Sequence, residues 1–324
     1  MKTNVTILSA SALLVLLVLA IFAGCTGTAP GENETPGAAT TPPASGASVV
    51  KIATTTSLEN TGLLAELERV YEGENVVDLQ FIAQGTGQAL DTARRGDVDL
   101  VLVHAPALEE EFVDEGYGLN PRCIAYNFFI IVGPDSDPAG IKNMDPVEAF
   151  KTLYVAGTDG KEGVAFVSRG DNSGTHVQEK TLWGEAGYDY DKDILTAGAW
   201  YVDAGKGMGD TLILADEKKA YTLTDEGTYL SFKDRLALVP VIEEGTELMN
   251  RYTAIAVNPE KHPGTNAKGA AEFINWLVSN EGKELVGDFG TAEFGKPLFI
   301  PLYAPECTEP PFNCICSEPV PVPA

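Results

Sequence analysis

Three times in this chain a short apolar strand pattern ends in a cluster of hydroxyl and glycine residues and gives way to a helical pattern. The clusters are Thr54-Thr55-Thr56-Ser57, Gly85-Thr86-Gly87-Gln88, and Ser168 to Thr175 within "SRGDNSGTH". Repeated strand–turn–helix units of this kind specify an α/β fold whose largely parallel sheet is covered on both faces. "VVKIATTTS" and "VDLQFIAQGTGQ" are the first two strands, with "LENTGLLAELERVYE" and "ALDTARRG" as the helices behind them, and "VDLVLVHAP" reads as a fully buried strand. A second α/β unit starts at "YNFFIIVGPDSDPAG" and continues through the helix "DPVEAFKTL", the strand "AFVSRG" and the helix "HVQEKTLWGEAG". Late in the chain "RYTAIAVNP" is a further strand, and "AKGAAEFINWLVSNEGKELVGDF" reads as one long amphipathic helix with Phe273, Ile274, Leu277 and Leu285 on one side. A chain of 324 residues is long enough for two lobes, each with its own core.

The clusters point to an anion. The first turn of a helix leaves backbone N–H groups without partners, and the aligned peptide dipoles make that end partly positive. Glycine lets the backbone approach closely, and Ser and Thr hydroxyls rotate to donate. In α/β sheets such turns gather at the carboxyl ends of the strands, where ligands bind. Any single cluster is more often an ordinary N-cap than a ligand contact. Three of them, one carrying Arg169, whose planar fork suits a tetrahedral oxyanion, favour binding. Arg169 can also pair with Asp171, two residues on, and both roles can hold together.

Charge and motif spacing narrow the alternatives. Lys and Arg number 22 against 47 Asp and Glu, a net charge of −25 that repels nucleic acid and obliges an anion site to work by short-range dipoles. A hydrolase is the rival class, since Ser173 and His176 stand three apart, but no G-x-S-x-G occurs. His104, His176 and His262 lack metal-ligand spacing and are expected to be buried or capping residues, and no metal or other cofactor is expected. The glycines of "DAGKGMGDT" have the wrong spacing for a nucleotide loop and read as turn geometry.

The ends differ from the body. Residues 1–24 have the layout of a signal peptide, and Cys25 directly after Phe-Ala-Gly resembles the lipobox of prokaryotic lipoproteins, making it the candidate acylated residue. An uncleaved membrane helix is the alternative, and either would tether the protein to the outer face of the cytoplasmic membrane. Residues 25–48, rich in Pro, Thr, Gly and Ala, form a stalk, and folding starts near Val49. The tail, 304–324, holds Cys307, Cys314 and Cys316 among prolines; with Cys123 they allow two disulfides of unspecified connectivity.

"TTTS", "GTGQAL", "LVHAP", "SRGDNSGTH", "GKGMGDTL" and "AYTLTDEGTY", in this order over about residues 50–303, closely resemble the substrate-binding proteins of tungstate ABC transporters. The resemblance implies a two-lobed periplasmic-binding-protein type II fold with the oxyanion in the cleft between lobes. The crossing strands would be "YNFFIIVGP" and "RYTAIAVNP", one lobe 49–128 with 253–303, and the other 129–252. It implies a binding protein rather than an enzyme, a monomer, and permease and ATPase partners. It carries ligand contacts to Thr55, Thr56, Ser57, Arg169, Ser173, Gly174 and Thr175, and places Thr86, His104, Asp171 and Thr224 as contacts or supports. The cysteine-bearing tail departs from the family pattern.

Tungstate and molybdate are unprotonated dianions near pH 7 and call for donors only. Phosphate keeps a proton there and calls for a carboxylate acceptor, and "RGDNSGT" also resembles the corresponding turn of phosphate-binding proteins. Asp171 therefore separates the two ligands. A sensory or adhesive surface module would share the stalk but would not need three anion turns.

Overall fold

The computed structural model describes residues 46–323; Cys25, the signal segment and all but the last residues of the stalk lie outside them. Among the described residues no helix is long and apolar enough to cross a membrane.

The first strand, β1 (Ser48–Thr55), runs parallel to β2 (Val77–Gln84) in unbroken register from Ser48 opposite Val77 to Thr55 opposite Gln84. On its other side lies β3 (Leu100–Val103), also parallel. The helices between are α1 (Thr56–Thr61), α2 (Leu63–Glu74) and α3 (Thr86–Arg94), followed by α4 (Pro106–Asp114). Apolar residues fill both faces of this sheet, Leu58, Leu67, Phe273 and Ile274 on one and Ala53, Leu90, Val101 and Phe112 on the other. That explains the near-continuous apolar run of β3.

The long strand β4 (Gly118–Gly133) belongs to two halves of the molecule. Up to Phe128 it pairs antiparallel with the late strand Met249–Val257, which also borders β3. From Phe129 onward it pairs with Thr222–Asp225 and with Val239–Ile242. Around that second part stand α5 (Pro146–Thr158), β5 (Phe166–Ser168), α6 (Gly174–Glu185), β6 (Tyr201–Asp203), α7 (Met208–Lys218), β7 (Thr222–Asp225), α8 (Glu226–Phe232) and β8 (Val239–Ile242). Their cores are Phe150, Phe166, Trp183 and Tyr221 on one side and Ile130, Val132, Met208 and Leu212 on the other. The chain returns through a 3₁₀ turn, Thr246–Leu248, into β9 (Met249–Val257). Two lobes of α/β structure are thus joined by β4 and by the β8 to β9 link, the two-lobed form expected of a periplasmic-binding-protein fold.

Two expected helices are each broken. "LENTGLLAELERVYE" divides into α1 and α2 at Gly62, whose φ of 83° is accessible to glycine at little cost. The long C-terminal helix is α9 (Ala267–Leu277) and α10 (Asn280–Asp288), because the Ser279 hydroxyl accepts from the Gly282 N–H at 3.3 Å and starts a new helix. Phe273, Ile274 and Leu277 are buried, whereas Leu285, beyond the break, only edges the core. A short helix, α11 (Thr291–Phe294), and β10 (Ile300–Pro301), paired with β4 at Tyr126 and Ala125, complete the first lobe.

The tail is stapled to this lobe. Cys314 bonds Cys123 on β4, and Cys307 bonds Cys316. The Arg122 guanidinium donates to the carbonyls of Glu318 and Pro319, and Asn275 exchanges two hydrogen bonds with the Val320 backbone.

A buried carboxyl in the second lobe yields a pH-dependent stability. Glu179 accepts from Trp183 Nε1 at 3.1 Å and from the Tyr201 hydroxyl at 2.7 Å, and burial pushes its pKa up to about 7. The folded state therefore holds this proton more tightly than the unfolded chain, so stability falls as pH rises through that value. The always-neutral Glu179→Gln variant is expected to melt about 5 °C above wild type at pH 8. The difference should shrink on acidification toward the ordinary carboxylate range; an unchanged gap across the melting series would exclude Glu179 as its source.

Candidate functional site

The helix starts of both lobes meet at one seam. Thr55, at the end of β1, caps α1, its hydroxyl accepting from the Leu58 N–H at 3.4 Å. Across from it Ser173 caps α6, accepting from the His176 N–H at 3.2 Å. The peptide N–H of Gly87 in α3 donates to the carbonyl of Asn172 at 3.1 Å, a bond from one lobe to the other. Thr228 of α8 reaches the carbonyl of Ser57 at 3.4 Å, and the Arg169 Nη2 donates to the Thr56 hydroxyl at 3.2 Å. Glycines make these approaches possible. A methyl group on Gly174 would lie 2.6 Å from the His104 carbonyl oxygen, and one on Gly85 3.2 Å from that of Asp171.

Most of this is buried, although Thr56 and Asp171 are half-buried and Asn172 is exposed. Arg169 is 1% exposed, and Thr55, Ser57, Thr86, Ser173, Thr175 and Thr224 are equally enclosed. Arg169 Nε and Nη1 and the hydroxyls of Thr86 and Thr175 have no hydrogen-bond partner among the described residues. A buried donor left unpaired costs about 1–3 kcal/mol, more when charged, so unpaired donors at a cleft are the mark of a place for an acceptor. Burial lowers the Arg169 pKa, with Asp171 and Asp225 opposing it, and a guanidinium so placed keeps its charge. Asp171 is spent on protein groups: Oδ2 takes the Arg169 Nη2 at 2.5 Å and Oδ1 the Ser173 N–H at 3.1 Å. It braces the arginine and the start of α6.

Of the residues singled out in the sequence, the seam brings together Thr55, Thr56, Ser57, Thr86, His104, Arg169, Asp171, Ser173, Gly174 and Thr175. The Thr224 hydroxyl bonds the Asp225 carbonyl and holds the turn at the end of β7. His104 and His176 are both buried and hydrogen-bonded, and His262 packs on Tyr117. Sequence reasoning missed Asp225, a fully buried carboxylate that caps α8 through the Thr228 N–H and hydroxyl, both at 2.8 Å. Its signal was present in "TDEGT", an Asp three residues before Thr at a helix start. Asn127 and Asn250, which stand behind His104, were also missed.

Two α/β lobes whose helix starts and buried donors meet at one seam have the arrangement of a solute-binding protein. The model of the PBP superfamily domain matches residues 37–281. Over 250 residues the chain is 43% identical to the tungstate-binding protein TupA of Peptoclostridium acidaminophilum, covering 77% of this chain and 84% of that protein. The crystal structure of a tungstate ABC transporter protein from Geobacter sulfurreducens superposes with a TM-score of 0.65 at 44% identity, covering 74% of this chain and 98% of that one. The tungstate-binding protein TupA of Desulfovibrio alaskensis does so with a TM-score of 0.64 at 41% identity, covering 79% and 99%. The chain belongs to the PBP superfamily and, within it, to the family of tungstate ABC transporter substrate-binding proteins.

Proposed function

We propose that this protein captures tungstate outside the cytoplasm, in the cleft between a lobe of residues 49–128 with 253–303 and a lobe of residues 129–252, and delivers it to an ABC transporter's permease and ATPase. The observation that carries this reading is the buried Arg169 guanidinium, with two donor nitrogens unpaired among the described residues and its carboxylate partner Asp171 bonded to the protein through both oxygens. Thr55, Thr56 and Ser57 supply donors from one side, and Ser173, Gly174 and Thr175 those from the start of α6 on the other. Molybdate, of the same charge and shape, is the second ligand of this donor set. Phosphate is less well served, because Asp171, the carboxylate that would take its proton, is already bonded through both oxygens. Acylation at Cys25 would tether the monomeric receptor to the membrane.

Six charge-assisted hydrogen bonds at about 2 kcal/mol each correspond to nanomolar binding before ordering costs. Titration calorimetry with tungstate, molybdate, sulfate and phosphate at neutral pH tests the reading. Submicromolar tungstate binding with phosphate silent is expected, and because the donors act at short range from buried positions that salt screens little, the dissociation constant should change little with salt. Tight phosphate binding with tungstate silent would make the protein a phosphate receptor instead.

A further inference from the structure

The Gly87 N–H belongs to the first turn of α3, where helix-start donors are free for a ligand, yet it is taken at 3.1 Å by the Asn172 carbonyl of the opposite lobe. The Gly85 to Gln88 cluster thus gives one of its donors to the contact between lobes. Asn172 has a φ of 55°, a left-handed conformation that asparagine tolerates but does not favour. The direction of its carbonyl is set by the two peptides that flank its Cα. The N–H of the later peptide, that of Ser173, donates to Asp171 Oδ1 at 3.1 Å. The N–H of the earlier one, that of Asn172 itself, donates to Nδ1 of His176 at 2.9 Å.

His176 is the third residue of α6. Its own N–H is capped by the Ser173 hydroxyl, and its ring reaches back past that cap to Asn172, a capping box whose return bond lands one residue further out. A backbone N–H can only donate, so Nδ1 accepts and is bare. Burial pushes the ring's pKa down to about 4, with Lys180 adding and Asp171 and Asp203 opposing, and at neutral pH its single proton is on Nε2. Nε2 stands 2.8 Å from the Tyr190 hydroxyl, which stands 2.9 Å from that of Tyr201, and Tyr201 donates to Glu179 at 2.7 Å. With the proton on Nε2 each hydroxyl accepts from one neighbour and donates to the next, so the ring is held in this tautomer from both ends.

We propose that His176 is a positioning residue for closure: by holding the Asn172 N–H it sets the Asn172 carbonyl against Gly87 and so latches the two lobes around the oxyanion without touching it. This rests on the tungstate reading of the cleft. A bond between lobes stabilises the closed form alone, and raising the population of the form that binds tightens the apparent affinity as a ligand contact would.

The test pairs His176→Leu with His176→Asn, whose side-chain oxygen stands as many bonds from Cβ as Nδ1 does and accepts the same N–H. Calorimetry of the full protein should find tungstate binding about tenfold weaker in the leucine variant and within about threefold of wild type in the asparagine one. In the tungstate-saturated proteins the Gly87 amide should exchange with solvent about tenfold faster in the leucine variant and near the wild-type rate in the asparagine one, whereas mere loosening of α6 would speed that helix's own amides and leave Gly87 unchanged. Nitrogen NMR of ¹⁵N-histidine-labelled wild type, with the His176 signals identified by their loss in His176→Asn, should show a bare Nδ1 and a protonated Nε2. A leucine variant equal to wild type in affinity or in Gly87 exchange, an asparagine variant as weak as the leucine one, or a proton on Nδ1 overturns the inference and leaves the tungstate reading standing. Wild type that binds no tungstate removes that reading and this inference with it.

Discussion

Arg169→Ala is expected to weaken tungstate binding by about a thousandfold, the loss of two charge-assisted hydrogen bonds at about 2 kcal/mol each. Removing the guanidinium also leaves Asp171 and the fully buried Asp225 without their nearest cation, so two negative groups would stand beside an incoming dianion. Arg169→Lys separates charge from geometry: one compact ammonium keeps the charge but cannot span Asp171, the Thr56 hydroxyl and the ligand at once. Its binding should fall between wild type and the alanine variant. Calorimetry of the three proteins, with thermal melting to confirm that each is folded, decides the matter. An alanine variant that binds as wild type does would place the oxyanion elsewhere.

The second large effect is on stability. The Cys123–Cys314 bridge closes a loop of sequence separation 191, whereas Cys307–Cys316 spans 9. On the chain-entropy account the long bridge contributes about 5 kcal/mol and the short one about 3 kcal/mol. Replacing Cys123 and Cys314 together by serine is expected to lower the melting temperature by on the order of 10 °C, and replacing Cys307 and Cys316 by less. Tungstate stoichiometry should be unchanged in both, because none of the four cysteines is among the proposed ligand residues. An unaltered melting temperature would show that the Arg122 and Asn275 bonds hold the tail without the disulfides.

The strand–turn–helix alternation was legible because buried parallel strands and amphipathic helices leave distinct periods in the sequence. The breaks at Gly62 and Ser279 were not read, although a glycine inside a helical run and a serine three residues before Gly282 are local stop and start signals. Arg169 and Asp171 could be paired from their spacing alone. Asn250 and His104 could not: they stand 146 positions apart and meet only because β9 borders β3 in the folded sheet. The disulfide connectivity was equally hidden, since it depends on where the tail lies over β4 and not on the cysteine spacing.

Gly85, Gly87, Gly174, Gly207 and Gly227 all face the opposite lobe across the seam, with Asp171, Asn172, His104, Thr56 and Thr61 as their respective neighbours. Each of these contacts therefore has bare main chain on one side, and its thickness is set by the lack of a side chain there. Such a seam works as a gauge. With the proposed oxyanion in it, one of the right size would let both walls come to rest against each other, and one too large would hold them apart by a length the backbone cannot absorb, so ligand size would be converted into the angle between lobes.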